Sequence, residues 1–269
     1  MSGRIQLKSR EEMRVMARAG VIVQRALAAA KEAAVPGATT GDLDAAASRV
    51  IAEAGATSNF LGYHGFPATA CVSVNEEVVH GIPGDRVLAE GDLVSVDCGA
   101  IVEGWHGDSA ISFIVGEPLA KADLALVKAT ERALWAGIAA LATADRISDV
   151  SAAIEDVADE ARLHPLEGYV GHGIGTEMHM EPDVPNYRVR GRSPRVKPGM
   201  CLAIEPMLVI GTPDSAVLND EWTVVSLDGS RAAHWEHSIA VHEDGIWVLT
   251  AADGGASRLA PLGVTPVAP

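Results

Sequence analysis

The segment Leu88-Ala89-Glu90-Gly91-Asp92-Leu93-Val94-Ser95-Val96-Asp97 returns later in the chain as Val196-Lys197-Pro198-Gly199-Met200-Cys201-Leu202-Ala203-Ile204-Glu205. Both read as a turn, a glycine, an apolar strand and a carboxylate. Two more pairs recur in the same order. Gly41-Asp42-Leu43-Asp44-Ala45-Ala46 parallels Ser148-Asp149-Val150-Ser151-Ala152-Ala153, and His80-Gly81-Ile82 parallels His172-Gly173-Ile174. Three matches in one order imply a duplicated unit of roughly one hundred residues, too long for a solenoid repeat. Two fused halves leave a cleft between them, where ligands bind. The repeat also puts a carboxylate at the end of an equivalent strand in each half, so Asp97 and Glu205 are expected to face one site.

The elements around these segments follow from periodicity. Ser9 and Glu12 form a capping box. Met13, Met16, Gly20, Val23, Leu27, Ala30 and Ala34 then make one helical stripe that Pro36-Gly37 stops. A second helix is predicted from near Thr40 to Gly55. Strands are predicted at Ala70–Val74, Leu93–Cys98 and Trp105–Val115, before the break at Gly116-Glu117-Pro118. In the second half, Leu124, Val127, Leu134, Ile138 and Leu141 mark a long helix, and Ile147 to Leu163 another. Strands follow at Met200–Pro206, Trp222–Leu227, Ala233–Val241 and Ile246–Leu249. The class is α+β: one domain over 1–269, with pseudo-repeats at roughly 9–116 and 120–250. Residues 251–269, rich in Gly, Pro and Ala, are expected to pack loosely.

Composition narrows the function. The 269 residues are 48% hydrophobic and carry a net charge of −15. Such a chain repels phosphate backbones, so no nucleic-acid partner is expected. The run Arg188, Arg190, Arg192, Arg195 and Lys197 reads as a solvated loop. Cys71, Cys98 and Cys201 form no C-x-x-C pair, which argues against disulfides and zinc knots and fits a reducing cytoplasm. The polar N-terminus lacks a signal-peptide core, and no apolar stretch reaches the ~20 residues of a membrane span.

Asp97 and Asp108 lie on segments joined by a turn near Val102-Glu103-Gly104. A hairpin would bring both carboxylates to one side. Asp is disfavoured in strands, and a buried carboxylate needs a cation or strong donors. Glu205 and Glu236, in equally apolar settings, pose the same problem. His172 lies in Gly171-His172-Gly173-Ile174-Gly175, where glycines permit close backbone approach. One imidazole with four carboxylates is a hard ligand set. It suits manganese, iron(II), cobalt or magnesium better than structural zinc. Four negative charges are balanced by two divalent ions, and two ions sharing a water would bring its pKa from ~15.7 toward neutrality. His80 and His179 remain as imidazoles able to hydrogen-bond during a reaction.

These residues resemble the type I methionine aminopeptidases of bacteria, over Ser9 to Thr250. The resemblance rests on Asn75-Glu76-Glu77-Val78-Val79-His80-Gly81-Ile82-Pro83, Val96-Asp97-Cys98-Gly99, His106-Gly107-Asp108-Ser109, Gly171–Gly175, Ile204-Glu205-Pro206 and Glu236-His237. It implies the pita-bread fold, two pseudo-symmetric halves with antiparallel sheet covered by helices. It further implies two divalent ions (Co, Mn, Fe(II), Zn or Ni) on Asp97, Asp108, His172, Glu205 and Glu236, with Asp108 and Glu236 bridging. Glu205 would also shuttle protons. His80 would contact the scissile amide and His179 would stabilise the tetrahedral intermediate. The substrate methionine would enter a pocket of Tyr63, Phe66, Cys71, Met178 and Trp222. Met178 departs from the aromatic residue of several relatives. The resemblance also implies a cytoplasmic monomer acting on Met-initiated peptides and nascent chains, near the ribosome. Glu205 and Glu236 are too close in sequence for the helical insertion of type II relatives, and no N-terminal zinc-binding or Pro-rich extension is expected. Two other readings are weaker. An Xaa-Pro peptidase of the same fold would normally add an N-terminal domain. A non-catalytic binding module would have lost ligands that are all present here.

Overall fold

The computed structural model describes residues 5–269. Helix α1, Arg10–Ala33, opens on the expected capping box: Ser9 accepts from the Glu12 amide while the Glu12 carboxylate accepts from the Ser9 amide. Helix α2, Thr40–Glu53, starts the same way, with Thr39 and Asp42 as the reciprocal pair. Each box satisfies two backbone donors that a helix start leaves free.

The α1–α2 pair covers a sheet in which strand β4, Leu93–Val102, lies centrally. β4 pairs antiparallel with β1 (Thr57–Ser58), β2 (Ala70–Val74) and β5 (Trp105–Ile114). Strand geometry splits its residues by parity. Ala70, Val72, Val74, Val94, Val96, Cys98 and Ala100 join Val23, Leu27, Leu43 and Ile51 of the helices in one apolar layer. The alternate residues, among them Cys71, Ser73, Ser95, Asp97 and Gly99, face the other way. The strand foreseen at Leu93–Cys98 runs on to Val102 and has two faces. Asp97 sits in its middle, not at its end.

The second half repeats the plan with α3 (Lys121–Leu141) and α4 (Ile147–Ala161). Their apolar faces, including Leu134, Ile138, Val150 and Ile154, pack on Leu202, Ile204, Ile239 and Val241. Those residues belong to a five-stranded antiparallel sheet. Its order is β15 (Gly245–Val248), β14 (His237–His242), β9 (Cys201–Ile204), β7 (Gly171–Gly173) and β8 (Met180–Val184). Two three-stranded sheets complete the fold. One joins β13 (Ala232–His234), β10 (Met207–Val209) and β6 (His164–Pro165). The other joins β11 (Ser215–Val217), β12 (Val224–Ser226) and β3 (Glu77–Val79). We propose that residues 9–116 and 120–250 descend from one unit. Each half carries a helix pair laid on one face of an antiparallel sheet, which supports that reading.

Two expectations change. The strand foreseen at Ala233–Val241 is two strands, β13 and β14, interrupted at Trp235 and Glu236. The backbone there leaves one sheet for another and bridges to Ala110 on β5. Residues 251–269 are not loose. Leu259 of α5, Ala256–Leu259, is buried in the second core. The Val267 amide donates to Ile246 O at 2.9 Å, and Arg14 Nε donates to Pro269 O at 2.8 Å. The Gly and Pro residues of this stretch build turns that fold the tail back onto β15. Cys71, Cys98 and Cys201 are free and buried, and burial pushes each thiol up. Arg188 pairs with Glu155 and Asp156, and Arg195 with Asp145, on the exposed surface. Among the described residues, no helix is long and apolar enough to cross a membrane.

Candidate metal centre

Asp97 and Asp108 converge because of hairpin register. Gly99 stands opposite Asp108 and Ala110 opposite Asp97, so the two aspartates are diagonal neighbours on one face. Gly99 leaves room there: a Cβ on it would lie 2.2 Å from Asn59 Nδ2, the amide that donates to Gly107 O on β5.

Glu236 joins them through the bridge to Ala110. Its amide donates to Ala110 O at 2.9 Å, and Ser238 and Asp108 exchange hydrogen bonds two residues further along each strand. Glu205 arrives from β9. Register pairs His237 with Ile204, so Glu236 and Glu205 leave their strands side by side. His172 on β7 faces Ala203, two residues before Glu205, and shares its side of the sheet. The glycines flanking His172 admit this packing. A Cβ on Gly171 would lie 2.4 Å from Ala203 O and one on Gly173 2.2 Å from Glu181 O, so β7 fits between β8 and β9 only without side chains there.

The five groups form a strongly perturbed cluster, with Asp108, His172 and Glu236 buried and Asp97 and Glu205 partly buried. Burial lifts Asp108 to about 7, against the pull of the Ser109 amide and the Asn59 side chain. Burial and then neighbouring carboxylates raise Asp97, Glu205 and Glu236 well above the usual range. His172 falls to about 3, mainly through burial. Its Nδ1 lies 2.9 Å from Gly173 O. A carbonyl only accepts, so Nδ1 carries the proton and Nε2 turns a lone pair toward Glu205 Oε1, 3.4 Å away. Ligand-capable atoms of Asp108, His172 and Glu236 lie within 4.8 Å of one another. Asp97 Oδ1, Asp108 Oδ1 and Glu236 Oε1 are sealed from solvent and without a hydrogen-bond partner among the described residues. Orphaned carboxylate oxygens beside a lone-pair imidazole fit a divalent cation.

A cavity of about 350 Å³ opens onto the cluster, within the usual range of roughly 300–1,000 Å³ for small-ligand sites. Its apolar wall is one packed group: Phe60, Phe66, Cys71 and Met178, with Tyr63 and Trp222 beside them. Each candidate ligand, imidazole and pocket residue named from the sequence lines this cavity. His80 reaches it from the Asn75–Pro83 segment. Asn75 accepts from the Leu93 amide and donates to Asp92, Gly81 N donates to Ser73 Oγ, and His80 itself takes φ 60° between them. Burial pushes His80 down to about 4. His179 is lowered too, by burial and then His64, and its Nδ1 lies 2.8 Å from the Tyr63 hydroxyl. The sequence reading missed Phe60, His64, Val79 and His234, which also line the cavity. Phe60 and His64 flank Tyr63, and His234 stands two residues before Glu236; proximity to residues already chosen was the available signal.

Residues 14–243 match the model of metallopeptidase family M24, and the chain belongs to that family. Its relatives there include methionine aminopeptidases at high identity. The chain is 52% identical over 250 residues to methionine aminopeptidase 1 of Mycobacterium tuberculosis, covering 90% of this chain and 94% of the relative. It is 43% identical to methionine aminopeptidase 1 of Bacillus subtilis, covering 90% and 98%. The crystal structure of methionine aminopeptidase from Thermotoga maritima superposes with a TM-score of 0.89 at 40% identity, covering 92% of this chain and 99% of that one. The fold is the α+β pita-bread fold, and the chain is a metal-dependent aminopeptidase.

Proposed function

We propose that this chain hydrolyses the first peptide bond of polypeptides that begin with methionine, when the second residue is small. The observation that carries this reading is the contiguity of the apolar wall formed by Phe60, Phe66, Cys71, Met178 and Trp222 with the carboxylate cluster. A long, unbranched, polarisable side chain suits such a wall. Its amino end would then meet negative charge.

Asp97, Asp108, His172, Glu205 and Glu236 would hold two divalent ions. When bound, such ions lower the pKa of water and polarise a carbonyl. The protein's own groups do the rest. Burial lowers His179, and with Nδ1 accepting from the Tyr63 hydroxyl its Nε2–H would donate to the oxygen that gains charge. His80, neutral, meets the departing amide nitrogen. Glu205, whose proton affinity burial has raised, takes and returns a proton. The apolar wall excludes water from the methionine side chain. In the same reading the enzyme is a cytoplasmic monomer that meets new polypeptides near the ribosome.

The test is release of free methionine from Met-Ala-Ser and Met-Leu-Ser by metal-free protein titrated with manganese, cobalt or iron(II). Metal-restored cleavage of Met-Ala-Ser, with little of Met-Leu-Ser, is the expected result. No methionine from folded, metal-loaded protein would reject the reading in favour of a binding role.

A further inference from the structure

We infer that His234 is a second imidazole ligand of the metal centre, acting with Glu205 and Glu236. The inference rests on the preceding assignment of those two glutamates to metal.

His234 ends β13, and its backbone is clamped from behind. Its amide donates to Ser112 Oγ at 2.8 Å, and the same hydroxyl donates to His234 O at 2.8 Å. The clamp belongs to β5, the strand that carries Asp108, so the ring is held in register with the cluster. The residue is only 2% exposed, and Nε2 has no hydrogen-bond partner among the described residues. That atom lies 3.6 Å from Glu205 Oε2.

The separation discriminates between two roles. A hydrogen bond from imidazole to carboxylate would span roughly 2.7–3.2 Å. Two atoms each about 2.1 Å from one ion stand roughly 3.0–3.6 Å apart as the angle at the ion opens from about 90° to about 120°. His172 Nε2 makes the same kind of approach to the other oxygen of the same carboxylate, at 3.4 Å. Glu205 thus lies between two imidazoles, one per oxygen. Ligand-capable atoms of Glu205, His234 and Glu236 lie within 4.8 Å of one another, as do those of Asp108, His172 and Glu236. The two triads share Glu236, and each contains one imidazole. With no hydrogen-bond partner among the described residues, Nε2 is the ring nitrogen free to present a lone pair. A second nitrogen donor shifts preference from manganese and magnesium toward cobalt, iron, nickel and zinc.

The experiment is proton NMR of the full chain loaded with cobalt(II). Paramagnetically shifted, solvent-exchangeable ring N–H signals count the coordinated imidazoles. Two such signals are expected at full loading, with one lost in His234→Ala. Calorimetric titration should show His234→Ala binding one cobalt(II) ion at least about 100-fold more weakly, beyond the 10–100-fold that loss of an outer partner costs. A single shifted imidazole in the wild-type protein with both ions bound overturns the inference and needs no variant to fold. If that protein also cleaves Met-Ala-Ser, the functional reading stands while this one fails. A wild-type chain that binds no divalent ion defeats both.

Discussion

The Tyr63 hydroxyl lies 2.8 Å from His179 Nδ1, which leaves Nε2 as the ring nitrogen without that contact. Removing it with Tyr63→Phe frees the tautomer without touching a carboxylate. A hydrogen bond of this kind is worth about 1 kcal/mol, so kcat should fall about fivefold. Bound metal, measured by atomic absorption, should not change. Unaltered kcat would show that the phenol does not orient the ring.

His80 sits in the left-handed region at φ 60° with its ring against Tyr169 and Trp222. His80→Ala should lower turnover on the order of 100-fold, in the range of a lost hydrogen-bond donor to the reacting group, while metal content stays near that of the parent. Loss of metal instead would mean that the residue holds the centre and not the substrate.

Asp108 is 2% exposed, and its pKa is shifted by burial to about 7. Asp108→Ala removes one of the orphaned oxygens at the middle of the cluster. Metal and activity should disappear together, activity by more than about 100-fold. Full two-ion occupancy in the variant would contradict its placement as a ligand.

Gly173 tests the positioning of His172. A methyl group there would lie 2.2 Å from Glu181 O, a backbone atom with little room to move. Gly173→Ala should cost about 1–3 kcal/mol of stability through overpacking and weaken metal binding by displacing β7. A thermal melt matching that of the parent would show that the sheet accommodates the group.

Metal-free protein should lose stability as pH rises above about 6.5. In the unfolded chain Asp97, Asp108, Glu205 and Glu236 have then released protons that the folded state still holds, because burial raises all four. Raised carboxyls stabilise the fold at low pH, and that contribution disappears as pH climbs through the folded values. His80, His172, His234 and His237, all lowered to about 3 or 4 mainly by burial, act in the opposite sense. They do so only below about pH 6.5, where unfolded imidazoles take up protons. Each carboxyl still protonated contributes up to about 1.4 kcal/mol per pH unit. The Tm should therefore fall from about pH 6.5 to about pH 8.5 in chelator and hold steady with saturating cobalt(II). A flat metal-free profile would show that the carboxyls ionise freely in the fold.

Local patterns foretold the helices well, because a capping box and a stripe at three-and-four spacing are complete within a few turns. Ser9 with Glu12 and the Met13 to Ala30 stripe illustrate this. The region around Glu236 was harder. Ala233 to Val241 reads as one strand, since alternation cannot reveal that Trp235 and Glu236 cross between sheets. Residues 251–269 were misread for a related reason. Gly and Pro mark turns, and only contact with β15 decides whether turns hang free or fold back.

By itself the sequence determined the helix starts, the two-part order of elements and the carboxylates and imidazoles that lack local partners. Those properties depend on near neighbours in the chain and on the chemistry of single side chains. Only the tertiary structure decided that Asp108 and Glu236 meet through the Ala110 bridge, and that Glu205 lies between His172 and His234. Strand register across two sheets controls those meetings, and a one-residue slip would turn every ligand to the opposite face.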